Sequence, residues 1–118
     1  MKTPKRILDR RRCLRIDETL PFQMGREGFE FESASVNISA NGALCVMDHE
    51  VPVMTKLSIL ISIPAHAQHA KKTLKVRGVV IRRDKNSDGK YHTAIFFSEI
   101  KPGDQRTLQD FIEHRLTP

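Results

Sequence analysis

The sequence predicts a mainly β domain: about six strands form a closed or nearly closed barrel, and one helix follows at the C-terminus. Three observations predict it. Apolar and polar residues alternate with a period of two in most of the runs between Leu20 and Phe97, the signature of half-buried strands. Asn41-Gly42 and the 85–90 stretch punctuate those runs as turns. Beyond Pro102 the spacing of Leu108, Phe111, Ile112 and Leu116 becomes i, i+3, i+4, i+8, an apolar helix stripe.

The elements follow in order. Residues 1–9 read as a flexible basic leader, because Pro4 and the charges oppose an early regular element. Residues 10–17 read as an arginine-rich arm that docks on the domain, so that 10–118 form one domain. A short element begins at Pro21–Met24, and Gly25 to Gly28 is expected to interrupt it. Phe29, Phe31 and Ser33 alternate with Glu30 and Glu32, and Val36 and Ile38 extend that strand to the Asn41-Gly42 turn. Ala43–Met47 is apolar enough to be buried. Leu57, Ile59, Ile61 and Ile63 share one face of the next strand, which Pro64 ends because proline cannot donate to the ladder. Residues 65–73 read as a polar connection. Val76–Ile81 is partly apolar on both faces, as a central strand would be, and Tyr91–Phe97 returns from the Lys85–Lys90 hairpin loop. In the helix, Pro102 is tolerated near the start, and Asp104 is expected to cap it or favour its positive end. An open sheet would leave its edges and one apolar face exposed. Closure removes both problems, with the helix over an opening.

The chain has 118 residues, enough for one core without disulfides. Its net charge of +6 is concentrated. Residues 1–15 hold Lys2, Lys5, Arg6, Arg10, Arg11, Arg12 and Arg15 against Asp9 alone, and the rest is balanced. A concentrated positive field of this kind attracts phosphates or acidic surfaces. Cys13 and Cys45 form no CxxC pair. His66 and His69 are close, but the stretch lacks the third ligand a zinc site needs. No apolar run reaches the roughly 20 residues that cross a bilayer, and the basic N-terminus lacks a signal-peptide core. A cytoplasmic protein is expected. Ser39 has no evident histidine and carboxylate partners, and neither GxGxxG nor GxxxxGK[ST] occurs. No enzyme and no cofactor are expected.

Two segments stand out: Arg10-Arg11-Arg12-Cys13-Leu14-Arg15 and Asn37-Ile38-Ser39-Ala40-Asn41-Gly42. In order and spacing they resemble the RxxxR and D/N-x-S-x-x-G segments of the PilZ family of cyclic di-GMP receptors. Arg11 and Arg15 match the first, and Asn37, Ser39 and Gly42 match the second. The resemblance covers almost the whole chain. It implies a six-stranded antiparallel β-barrel with a C-terminal α-helix, and a cyclic di-GMP site built from Arg10, Arg11, Arg15, Asn37, Ser39 and Gly42.

The chemistry suits those residue types. Cyclic di-GMP carries two phosphates and two guanines. An arginine fork donates paired hydrogen bonds to phosphate oxygens and to guanine O6 and N7, and its flat face stacks on bases. By the resemblance, Arg11 and Arg15 grip the ligand and Arg10 stacks or adds a second charge contact. Asn37 stands where aspartate is usual; it both donates and accepts, but supplies no charge to orient the arginines. Ser39 offers a compact hydroxyl for a base or phosphate contact, and Gly42 supplies a backbone angle or clearance that a side chain would prevent. Ala94 stands in a strand where many relatives carry glycines. Arg77, Arg82 and Arg83 read as ordinary outward residues beside the hairpin. The expected role is a receptor that changes conformation on binding and signals to a protein partner. Two rivals are a nucleotide-independent interaction module of the same fold and a nonspecific nucleic-acid binder. The charge balance of the remaining domain and its lack of tryptophan make nucleic acid the less favoured partner.

Overall fold

The structure is a computed structural model that describes residues 14–66 and 69–116. The leader at 1–9 and the candidates Arg10 and Arg11 lie outside the described residues. Among the described residues seven strands and one helix follow one another: β1 (Arg15–Ile16), β2 (Pro21–Arg26), β3 (Phe29–Ser39), β4 (Gly42–Met47), β5 (Lys56–Ile63), β6 (Lys72–Lys85), β7 (Tyr91–Ile100) and α1 (Pro102–Leu116).

All pairings are antiparallel. The sheet runs β3-β2-β5-β6-β7-β4, and β4 pairs back with β3 to close a six-stranded barrel. The two-residue β1 adds to β3 beyond the end of β2. Alternation along the strands fills the interior with Phe22 and Met24 of β2, Ile38 of β3, and Ala43, Cys45 and Met47 of β4. Leu57, Ile59, Ile61 and Ile63 of β5 join them, with Leu74, Val76 and Val80 of β6 and Ile95 and Phe97 of β7. Each large side chain so buried contributes about 1.5–3 kcal/mol of transfer free energy. Gly78 of β6 keeps the wall thin where it passes Ile59 and Ile95; a Cβ there would sit 2.9 Å from Ile59 Cδ1 and 2.7 Å from Ile95 Cγ2.

Helix α1 buries Leu108, Phe111 and Ile112 in this core, while Leu116, at the end of the expected stripe, stays exposed beyond it. Asp104 does not serve as an N-cap side chain. It lies within the first turn, and its carboxylate accepts the backbone N–H of Lys75, tying the helix start to β6. The Lys101 carbonyl accepts the first helical bond, from Gln105 N.

Two element boundaries differ from expectation. Gly25 does not interrupt β2, which continues to Arg26; Glu27-Gly28 alone makes the reversal, both at positive φ (48° and 83°), as a two-residue primed hairpin turn requires. Likewise β6 begins at Lys72, inside the stretch read as a connection, because the ladder to β5 continues through Thr73 opposite Ser62 and Lys72 opposite Ile63.

Candidate ligand-binding site

The site begins with an irregularity in β3. Ser35 pairs with Cys45 and Asn37 with Leu44, so Val36 is an extra residue without a partner on β4. Such a bulge reverses which residues face inward. Before it, Phe31, Ser33 and Ser35 turn toward the barrel; after it, Ile38 is buried in the core and Asn37 faces outward. Ser35 is itself an anchor for the chain that follows β1. Its hydroxyl donates to Glu18 O (2.6 Å) and accepts from Leu20 N (2.9 Å), and its own N–H donates to Leu20 O (3.0 Å). Sequence reasoning missed this role, since nothing in the motif spacing marks Ser35.

Held this way, β1 pairs Arg15 with Ser39 and Ile16 with Ile38. Residues directly opposite on paired strands share a face, so both isoleucines point into the core while Arg15, Asn37 and Ser39 fall on one outer face. There the Arg15 guanidinium donates from Nη1 to Asn37 Oδ1 at 2.9 Å. Two segments more than twenty residues apart in sequence thus meet through their own side chains. Ser39 is buried; its hydroxyl accepts from Asn41 N (3.2 Å) and donates to Gly42 O (3.3 Å), which shapes the β3–β4 turn. Gly42 supplies clearance rather than an unusual backbone angle, for a Cβ would lie 2.3 Å from Ile95 O on β7. Asn41 O accepts the N–H of Phe97, which pins the turn to the same strand. Arg15, Asn37, Ser39 and Gly42 are therefore brought together at one corner, two as outward polar groups and two as its frame.

The model of the PilZ domain matches residues 9–114. The chain belongs to the PilZ family. Its fold is similar to an inhibitor of motility from Bacillus subtilis (MotI/DgrA), with a TM-score of 0.77 and 26% identity over 87% of this chain and 49% of that one. The chain thus spans about half the length of the Bacillus protein. It is also similar to the PilZ domain of YcgR from Escherichia coli, a structure with c-di-GMP, with a TM-score of 0.61 and 11% identity over 87% of this chain and 89% of that domain. No curated protein matches it. PilZ domains are non-catalytic receptor and adaptor modules.

Elsewhere on the PilZ domain several basic residues are engaged with acids. Arg77 meets Glu99 (3.6 Å), Arg82 meets Asp84 (3.4 Å), Arg83 meets Glu50 (2.8 Å) and Lys90 meets Asp48 (2.6 Å). The hydrogen bond from Lys90, reinforced by its charge, holds the Asp48 carboxyl below its ordinary range. A cleft of about 530 Å³ opens away from the corner, between Gln23, Leu60, Lys75 and Lys101. Its lining sets Glu30 and Glu99 among Lys75, Arg77 and Lys101, so its charges nearly balance. Cys45 is a free thiol inside the barrel, and burial pushes its pKa up to about 12, so it is no nucleophile. Among the described residues no helix is long and apolar enough to cross a membrane.

Proposed function

We propose that this PilZ domain is a cyclic di-GMP receptor whose ligand seats on the corner formed by β1 and the β3–β4 turn. The observation that carries the reading is the 2.9 Å bond from Arg15 to Asn37, which unites the arginine segment and the Asn-x-Ser-x-x-Gly segment on one outer face. Its support from relatives is the family itself and the c-di-GMP found with the YcgR domain.

In this mechanism the Arg15 fork exchanges its neutral amide partner for a phosphate or a guanine Hoogsteen edge, a stronger charge-assisted or bidentate contact. Asn37, released, turns its donor and acceptor to a guanine edge. Arg10 and Arg11 add the charge that a second phosphate needs. Ser39 and Gly42 act by holding the turn. Arginines already paired with carboxylates, such as Arg83, take no part.

The signal leaves through the segment that follows Arg15. Glu18 Oε1 accepts from Arg115 Nε at 3.1 Å, and the same guanidinium lies 4.6 Å from the Phe111 ring centroid. A pull on β1 is therefore felt at the C-terminal end of α1. The rearranged β1–α1 surface is what a downstream protein partner reads, with residues 10–118 acting as one domain.

Calorimetry with cyclic di-GMP, cyclic di-AMP, GTP and a short DNA duplex at two salt concentrations tests the receptor. The expected result is saturable binding selective for cyclic di-GMP. Similar, steeply salt-dependent binding of every anion would instead make the arginine segment a nonspecific phosphate binder.

A further inference from the structure

The fold gathers three of the five histidines at one place far from both motifs in sequence. His66 and His69 face each other across the tip of the β5–β6 connection, where His66 N donates to His69 O (3.1 Å) and His69 N to His66 O (2.8 Å). The last turns of α1 bring His114 to the same spot. The His66 ring centroid lies 5.1 Å from that of His69 and 5.4 Å from that of His114, and its edge meets Phe111 at 5.1 Å. The third ligand absent from the 65–73 stretch thus comes from the helix.

His66 is the informative member. It is 8% exposed, and its Nδ1 lies 3.3 Å from Pro64 O. A carbonyl only accepts, so Nδ1 carries the proton and the neutral ring keeps a lone pair on Nε2. That nitrogen is buried and has no hydrogen-bond partner. An orphaned buried acceptor costs free energy, and a protonated nitrogen oriented by a backbone carbonyl is the arrangement that sets a metal-binding histidine.

We propose that His66, His69 and His114 form a binding site for a borderline divalent transition-metal ion, of which zinc is the natural probe. Three neutral imidazoles suit such ions. Rings bound tetrahedrally at about 2.0–2.1 Å have centroids about 5 Å apart, which is the spacing of His66 to its two neighbours. As they stand the three rings do not converge: His66 and His69 are stacked, their planes 30° apart, and among the described residues no group of three such side chains has metal-holding geometry. Closing the site takes side-chain rotation of His69 and His114, both exposed. His66 already holds its tautomer. The ion would clasp the β5–β6 connection to the end of α1, with water or a partner's side chain in the fourth position.

Zinc competition against a chromophoric chelator at neutral pH tests the site, using wild type, His69→Ala, His114→Ala and the control His92→Ala. The expected result is one zinc ion per chain, weakened at least about tenfold in each of the first two variants and unchanged in the control. Zinc should also raise the melting temperature of wild type but not of His69→Ala or His114→Ala, both of which replace exposed side chains. Zinc binding that is equally tight in wild type and both variants, or no saturable binding by wild type, would overturn the proposal.

Discussion

The Gly42→Ala substitution probes the frame of the corner at the β3–β4 turn most severely. Its Cβ would fall 2.3 Å from Ile95 O, against a floor of 3.0 Å for real contacts, a shortfall of about 0.7 Å. The obstructing atom belongs to backbone, so no rotamer change relieves it. Either β4 and β7 separate at the Gly42–Phe96 pair, or the turn shifts and weakens the bond from Phe97 N to Asn41 O. Overpacking of this kind costs about 1–3 kcal/mol and a lost backbone bond about 0.5–1.5 kcal/mol. The reduced freedom of the unfolded alanine chain returns about 0.4–1 kcal/mol. The net is a loss of about 0.5–4 kcal/mol, centred on about 2 kcal/mol, and urea denaturation should show the midpoint falling by about 1 M. Gly103→Ala is the control, since a Cβ there meets nothing within 4 Å, and its midpoint should hold or rise. A Gly42→Ala protein that unfolds with the wild-type midpoint would refute the close approach of β4 to β7.

Glu27 occupies a left-handed turn position (φ 48°) that asparagine tolerates far better. Glu27→Asn should stabilise the domain by about 0.5–1 kcal/mol in the same denaturation assay, and a destabilised variant would contradict the turn assignment. The Cys45 thiol, with its pKa raised from 9.0 to about 12 by burial, stays neutral in the folded barrel after the unfolded thiol ionises. Its contribution is therefore whole below pH 9 and is lost as pH rises toward 12, by at most about 1.4 kcal/mol per unit. Urea midpoints at pH 8 and pH 10 should fall further for wild type than for Cys45→Ala; equal falls would contradict it. Arg15→Ala breaks an exposed bond, so its stability should change by less than about 1 kcal/mol while cyclic di-GMP affinity drops roughly 10- to 100-fold.

The barrel was legible because its inward residues keep period two across β5, β6 and β7, and because Asn41-Gly42 and the 85–90 loop mark reversals that local chemistry demands. The helix was legible for the same reason, in the spacing of Leu108, Phe111 and Ile112. Other features lay beyond a single strand's pattern. The bulge at Val36 does leave a trace, since the apolar parity passes from odd at Phe29 and Phe31 to even at Val36 and Ile38. The pairing of β1 with β3 leaves none: two residues carry no periodicity, and their place depends on Ser35 anchoring Glu18 and Leu20. Gly25 misled because glycine in an outward-facing strand position carries the same letter as glycine in a turn. Of the candidate residues, Asn37, Ser39, Gly42 and Arg15 were found by motif, but the division of labour among them was not. Burial of Ser39 and the close pass of Gly42 become visible only when β4 lies against β7. His114 joined His66 and His69 only through tertiary packing, which sequence separation conceals.

Amide chemical shifts recorded while cyclic di-GMP is titrated into the domain show where the ligand seats. Arg15, Ile16, Asn37, Ser39 and Asn41 should respond first and saturate together, with Arg115 following through Glu18. Saturable shifts confined to Gln23, Leu60, Lys75 and Lys101, with Arg15 and Asn37 unmoved, would contradict the proposed seat.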